Sequence, residues 1–594
     1  MHVDDSVVHD DEGFGRKKKK RSFLQRQKRF AKQGSFGRGT QLSQDMYDYF
    51  INIVKVMNSK KEDESEMTIL ASNVFQEIEG KEGEYCCNQI ISRAIENLLP
   101  YSNDEEFAGF IEKFSSNLRP IFNDPFGSHV LQQTIVVSYQ KYTKCKGNSN
   151  EDDDDDGVKQ ENEDEKKLSI RFYEYILKIS QFLFNNLYDF IWDTYSNAIA
   201  RTVFNVLSGN PIKGEIKPEE RNKKTLMRVP QCFTELLKKF AKKIMTHPQF
   251  DDFCYQSTNS GLLQSLLVAL GVDSLERREM IQQILKNYEK NQVDLLNECN
   301  EPFSRLLEVI ASIGDKGTVK TIYKMVVKDK LVDLSKSKCG NFLVQKLIGN
   351  CESKKTFGKI FAKIEPEMEN VLSEGNTGVV LSIVKACRRL EICQGGCMTM
   401  LSRTFHVKDV KDLILSVSTM TPWENFNMET FTFTLHGCLA VQEMLNFKKP
   451  INLVNGLLEM DDSILLKLLC DSKGCHVTDA FIGSPYVGEK NKDKLFRKLQ
   501  GRYLELATSK YGSRSLDAIW SNTSLNQKTI LAEELLSRQS ELNGNVYGKN
   551  FGWKIHLNNF RRDKEEWIRL YRSSETAEKV FADILLPKKR QKTS

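Results

Sequence analysis

The sequence predicts an all-α fold, an extended helical solenoid of eleven repeats with three insertions. Three observations predict it. Apolar residues recur at three- and four-residue spacing in runs of about 10–18 residues, with almost no strand-like alternation. Proline is scarce, at 13 of 594 residues, so few of these runs are broken. A seven-residue text recurs at the start of one helix in each repeat, with a period of roughly 37 residues.

From the N-terminus, residues 1–40 hold too few apolar residues to pack and predict a disordered tail. It carries five acids within residues 1–12, then ten bases and no acid in 16–32, RKKKKRSFLQRQKRFAK. Helical text such as DMYDYFINIVKVM and NQIISRAIENLLPY opens the array, expected to span residues 45–585. Insertions are expected near 143–167, 209–227 and 391–421, the first an acidic solvated loop. Residues 586–594 form a basic C-terminal tail. The charges of 1–12, 16–32, 151–165 and 587–592 cancel, so the net charge of +6 belongs to the array itself. A mildly basic body beside a strongly basic tail suits nucleic-acid binding or nuclear targeting.

The repeated text is clearest as FGSHVLQ from Phe126, CGNFLVQ from Cys339, HGCLAVQ from His436, KGCHVTD from Lys473 and YGSRSLD from Tyr511. Weaker copies begin at Cys86, Tyr195, Thr258, Pro302, Asn376 and Phe551. Their second residues stand at 87, 127, 196, 259, 303, 340, 377, 437, 474, 512 and 552, and each long interval contains one expected insertion. In SHVLQ, Ser128 and Gln132 share one helical face with His129 beside them, while Val130 and Leu131 point inward. Stacking the repeats aligns such trios into a ladder. A hydrogen-bonding pair with a stacking residue matches the edge and face of one nucleobase. The same text also fits polar first-turn residues of an armadillo-like, protein-binding scaffold.

At these trios the chain resembles the Pumilio (PUF) RNA-binding repeat family, over about residues 45–585. The resemblance implies a curved α-helical solenoid of eleven Pumilio-like repeats, with single-stranded RNA on its concave side. By the family's code, Asn341, Phe342 and Gln345 form a uracil reader, and Ser128, His129 and Gln132 an adenine reader. Cys438, Leu439 and Gln442 resemble an adenine reader with aliphatic stacking, and Ser304, Arg305 and Glu308 a guanine reader. Cys475 with His476, and Ser513 with Arg514, keep the first two members of the trio, but Asp479 and Asp517 shorten the third. Asn197-Ala198-Arg201, Gly378-Val379-Ser382 and Trp553-Lys554-Leu557 lack a normal base-reading edge. Eleven degenerate repeats with a basic tail and an acidic loop resemble the family's divergent ribosome-assembly branch. That likeness implies a non-catalytic, monomeric protein of the nucleus and nucleolus, bound to single-stranded and structured precursor rRNA of the small subunit and to pre-ribosomal proteins. The family's other eleven-repeat branch would imply the large subunit instead.

Enzyme chemistry is not expected, because no GxxxxGK[ST], HExxH or GxSxG motif occurs. Cys387, Cys393, Cys397 and His406 come nearest to a metal set but lack close CxxC pairs, so neither metal nor cofactor is expected. No apolar run reaches 18 residues and the N-terminus is acidic, which predicts an intracellular chain with no membrane partner and its cysteines as free thiols.

Overall fold

A computed structural model of the chain describes residues 23, 27, 36–59, 63–147, 163–210, 229–297 and 300–572. Among these residues the fold is an all-α, helix-repeat solenoid, and the one departure from helix and turn is an isolated antiparallel bridge between Gly39 and Asn88. It divides into two compact parts, Met1–Gln282 and Gln283–Ser594.

The trio-bearing helices are numbered here in chain order. The first part holds α1 (Gln89–Leu98), α2 (Gly127–Gly147), α3 (Thr194–Leu207) and α4 (Ser257–Ala269), each packed on the next. The helix Gln44–Ser59 covers the outer side of α1. The second part holds α5 (Glu301–Ile313), α6 (Gly340–Asn350), α7 (Thr377–Leu390), α8 (Leu435–Met444), α9 (Cys475–Gly483), α10 (Gly512–Ser521) and α11 (Val546–Lys554), again each against the next.

One repeat shows how the sequence builds this. Lys316–Ile322 runs into a π turn, Tyr323–Val327, then comes the short helix Leu331–Lys336, and then α6. Leu343, Val344, Leu347 and Ile348 of α6 are wholly buried, which leaves its other face for the trio. A side chain three residues before the repeated glycine caps the helix. Ser337 Oγ accepts from Gly340 N (3.1 Å), Asp471 Oδ1 from Gly474 N (3.0 Å) and Ser509 Oγ from Gly512 N (3.2 Å). The glycine is required by close approach to the preceding helix. A Cβ at Gly474 would lie 2.3 Å from the carbonyl oxygen of Leu468, and one at Gly512 2.7 Å from that of Leu506.

That geometry corrects the register of the last repeat. Text from Phe551 lies at the end of α11, not its start. Asn545 caps Tyr547 N and Gly548 N (2.9 and 3.2 Å), and a Cβ at Gly548 would meet the Leu542 carbonyl at 2.6 Å. The repeat therefore begins four residues earlier, and its trio is Lys549, Asn550 and Trp553.

Two boundaries also move. Of the acidic insertion near 143–167, residues 143–147 complete α2 and Glu163 opens the helix Glu163–Asn185; residues 148–162, like 211–227 of the second insertion, lie outside the described residues. Within 391–421, Gln394–Thr404 and Val410–Thr419 are ordinary helices. The surplus follows them, at 420–434, where Trp423, Phe426, Phe431 and Phe433 make successive ring contacts of 5.0–5.3 Å. Lys467 Nζ covers the Phe431 ring at 3.6 Å.

Candidate nucleic-acid interface

In the best-formed trios the first residue is buried against the scaffold at the start of the helix, while the middle residue points outward. Asn341 is 3% exposed and Phe342 is 51% exposed, one residue apart in the first turn of α6. Asn341 Nδ2 donates to the carbonyls of Ser337 (2.8 Å) and Lys338 (2.9 Å), which fixes the amide's orientation. Gln345 Nε2 then donates to Asn341 Oδ1 at 2.7 Å, which joins the two amides beside Phe342. Gln345 has room to lie there because α7 offers Gly378, where a Cβ would fall 2.5 Å from both amide atoms.

The serine trios carry polar atoms that the protein leaves without partners. Ser128 Oγ in α2 and Ser304 Oγ in α5 are buried without a hydrogen bond. Such buried orphans are rare in folded proteins, and Ser138 Oγ and Ser180 Oγ share the condition away from the trios. Gln132 Oε1 accepts from Thr202 Oγ1 of α3 at 3.2 Å, and His129 is exposed beside it. Arg305 is exposed and held along the helix by Glu301, with Nε to Oε1 at 2.9 Å. Burial pushes the Glu308 carboxyl up to about 7, against the smaller opposing effect of Arg305 and Lys346.

The later repeats differ. Cys438 and Cys475 are wholly buried, and burial pushes the Cys438 thiol up to about 12, keeping it neutral. Leu439 is half-buried, which limits its stacking, while Gln442 is half-buried on the next turn. Asp479 is drawn to His476 Nδ1 (3.4 Å) and to Arg514 Nη2 of the next repeat (3.6 Å). Asp517 pairs with Lys554 at 2.9 Å. The two shortened third residues thus bind the protein's own cations, and Ser513 Oγ donates to its own backbone at Lys510 O (3.1 Å). Position 379 is a further departure, because Val379 is wholly buried and has no face to offer a base.

The first repeat is occupied by the chain itself. Residues 36–40, expected within the disordered tail, lie against Asn88. Asn88 Nδ2 donates to Thr40 O (2.8 Å) and Phe36 O (3.3 Å), while Thr40 N to Cys87 O (3.1 Å) and Gln89 N to Arg38 O (2.9 Å) form a two-bond ladder. Gly39 has left-handed backbone at φ +90°, and a Cβ there would meet Cys87 O at 2.0 Å. Two residues nearer the N-terminus meet the same helix: Gln27 Nε2 donates to Gln89 Oε1 (3.0 Å) and the Arg93 guanidinium lies over the Phe23 ring (4.3 Å).

Sequence reasoning missed the strap of residues 36–40 and the α11 trio with its 72%-exposed Trp553. Arg201, set aside in the sequence as lacking a normal base-reading edge, has a buried Nε without a partner; the cap Asn545-Val546-Tyr547-Gly548 was the signal available for α11. The cysteine–histidine set does not assemble. Cys387 and Cys397 form a buried thiol pair, whereas His406 sits between Glu369 (3.2 Å) and Glu424 (3.1 Å). Among the described residues no three His, Cys, Asp or Glu side chains are placed to hold a metal, the described cysteines are free thiols, and no helix is long and apolar enough to cross a membrane.

Packed three-helix repeats with a trio on the first turn of each third helix define a protein of the PUF-repeat class. The sequence matches the NOP9-like PUF repeat domain over residues 80–550, and the chain belongs to that family. It is 24% identical to Nucleolar protein 9 of Mus musculus over 593 residues, covering 92% of this chain and 91% of the relative. With Pumilio homolog 23 of Arabidopsis thaliana it shares 21% over 577 residues, covering 87% and 72%. The solved structure of APUM23 with GGAAUUGACGG shares the fold, with a TM-score of 0.67 at 19% identity over 90% of this chain and 100% of that one.

Proposed function

We propose that this chain is a non-catalytic RNA-binding protein of ribosome biogenesis. It binds small-subunit precursor rRNA near the 3′ end of 18S rRNA and its adjoining spacer, and times processing there by shielding a cleavage site. The observation that carries the RNA-binding role is the joined Asn341–Gln345 edge beside exposed Phe342, a geometry suited to one base. Membership in the NOP9-like family supports the ribosomal setting, and likeness to proteins named nucleolar supports a nuclear and nucleolar location. Base trios fix register, while lysines and arginines supply salt-dependent affinity through phosphates. The protein acts as a monomer alongside pre-ribosomal proteins. Crosslinking in cells with nucleotide-resolution mapping tests this: sites clustered at the small-subunit precursor support it, and sites on large-subunit precursor or messenger RNA overturn it.

Glu308 gives the guanine assignment a pH signature. Guanine offers two donors on one edge, so the ionised carboxylate is the binding form. With the free protein's carboxyl at about 7, affinity for RNA with guanine at that position is expected to rise about tenfold between pH 6 and pH 8, then level off. Folding runs the other way: the raised carboxyl makes the protein most stable with the proton on, and this is lost as pH rises through about 7. Glu308→Gln should flatten the binding profile in a fluorescence-anisotropy titration; an unchanged slope would remove Glu308 from the interface.

A further inference from the structure

A second charged surface lies away from the trios. A groove of 880 Å³ runs between the first helices of two successive repeats, Lys316–Ile322 with its π turn and Lys354–Ile364, and is lined by Lys316, Lys320, Lys324, Lys328, Lys355 and Lys359. From α6 it takes only Leu347 and Asn350 near the helix C-terminus, and none of Asn341, Phe342 or Gln345. Glu352 is the one acid in its wall, and it is spent on Lys316 at 2.7 Å. Among the described residues the other five lysines have no carboxylate within ion-pair distance, although neighbouring Lys330 and Lys336 are paired, with Asp294 (3.1 Å) and Glu367 (2.9 Å).

The backbone is adapted to this arrangement. Lysines at 316, 320, 324 and 328 recur every fourth residue, a step that overshoots a turn of α-helix by about 40° and would carry a long row off one face. The π turn Tyr323–Val327 takes more residues per turn and so draws the row back, which leaves all four on the groove. The row spans about 18 Å, at about 6 Å per lysine. That is close to the length of one nucleotide's sugar–phosphate unit. Lysines act as point charges for phosphate. No exposed aromatic lines the groove, since Tyr323 is 7% exposed, so nothing there can stack on a base.

We infer that this groove is a second RNA site, which holds the sugar–phosphate backbone of a base-paired segment without regard to sequence. It rests on the RNA-binding reading above only for the occupant: a paired stem continuous with the strand on the trios reaches the groove at high effective concentration.

The test compares full-length protein carrying Lys320→Gln, Lys324→Gln, Lys355→Gln and Lys359→Gln with the Asn341→Ala/Gln345→Ala double variant. The probes are a blunt RNA duplex, a single-stranded RNA varied at one uracil, and a synthetic peptide of residues 149–165. The lysine variant should bind duplex about tenfold more weakly and lose about three to four from the slope of log affinity against log salt, with base selectivity on the single strand unchanged. The double-alanine variant should keep duplex binding. Unchanged duplex affinity and salt slope in the lysine variant would overturn the site, as would equal loss of uracil selectivity. Peptide that competes with duplex only in the unsubstituted protein, and more tightly than duplex binds, would assign the groove to an acidic protein segment instead. If the unsubstituted protein shows no base selectivity but the lysine effect persists, the trio reading fails and the groove stands.

Discussion

Replacing Asn341 and Gln345 together by alanine is expected to cost about 1–3 kcal/mol of discrimination for uracil at one position, the range of a paired base contact. The expectation rests on their 2.7 Å amide bond and on the two backbone carbonyls that orient Asn341. Affinity for an RNA with another base there should change little, so the difference between the four bases collapses. Equal weakening for all four would mean that the pair serves the scaffold and that phosphate contacts carry binding. The single Gln345→Ala variant separates the members: it leaves Asn341 held by its backbone bonds and should retain part of the preference.

The largest effect on stability is expected at the C-terminal end of the array. Trp567 is wholly buried, donates from Nε1 to Ile555 O at 2.9 Å, and meets the rings of Phe560 (4.9 Å), Tyr571 (4.4 Å) and Trp520 (6.1 Å). Trp567→Ala should cost about 3–5 kcal/mol through the cavity it opens, with the indole's hydrogen bond lost as well. Because each repeat leans only on its neighbours, the loss should be local. Hydrogen exchange should speed across residues 512–572 while α6 and α7 keep their protection. Uniform acceleration along the chain would show instead a cooperative fold that the repeat architecture does not predict.

The trios were legible in sequence because they obey a short local rule: a capping residue, a close-packed small residue and a polar first turn. At α11 the rule misled, since Phe551-Gly552 copies Phe126-Gly127 and a slip of four residues leaves the apolar face almost in place. The structure restores the register through Leu542 and Gly548, a contact made six residues apart. Pairings between repeats were less legible. That Asp479 is claimed by Arg514, and Gln345 accommodated by Gly378, depends on which helix stands beside which. The expected third insertion covers two helices because Gln394–Thr404 starts on Gln-Gly-Gly and Val410–Thr419 carries Lys411 and Asp412 in its first turn, whereas residues 420–434 are rich in aromatic residues and read as core.

Helical periodicity would set the start of the folded region near residue 45. A fragment cut there discards Phe36–Thr40 and so leaves the amide of Asn88, the carbonyl of Cys87 and the N–H of Gln89 without the partners they have in the whole chain. It would display a reading position that the intact molecule keeps filled. RNA footprints measured on such a fragment would therefore be expected to extend one base further than those of the native protein. On the proposed reading, the working length of the ladder would be set from within the tail, by a loop of five residues.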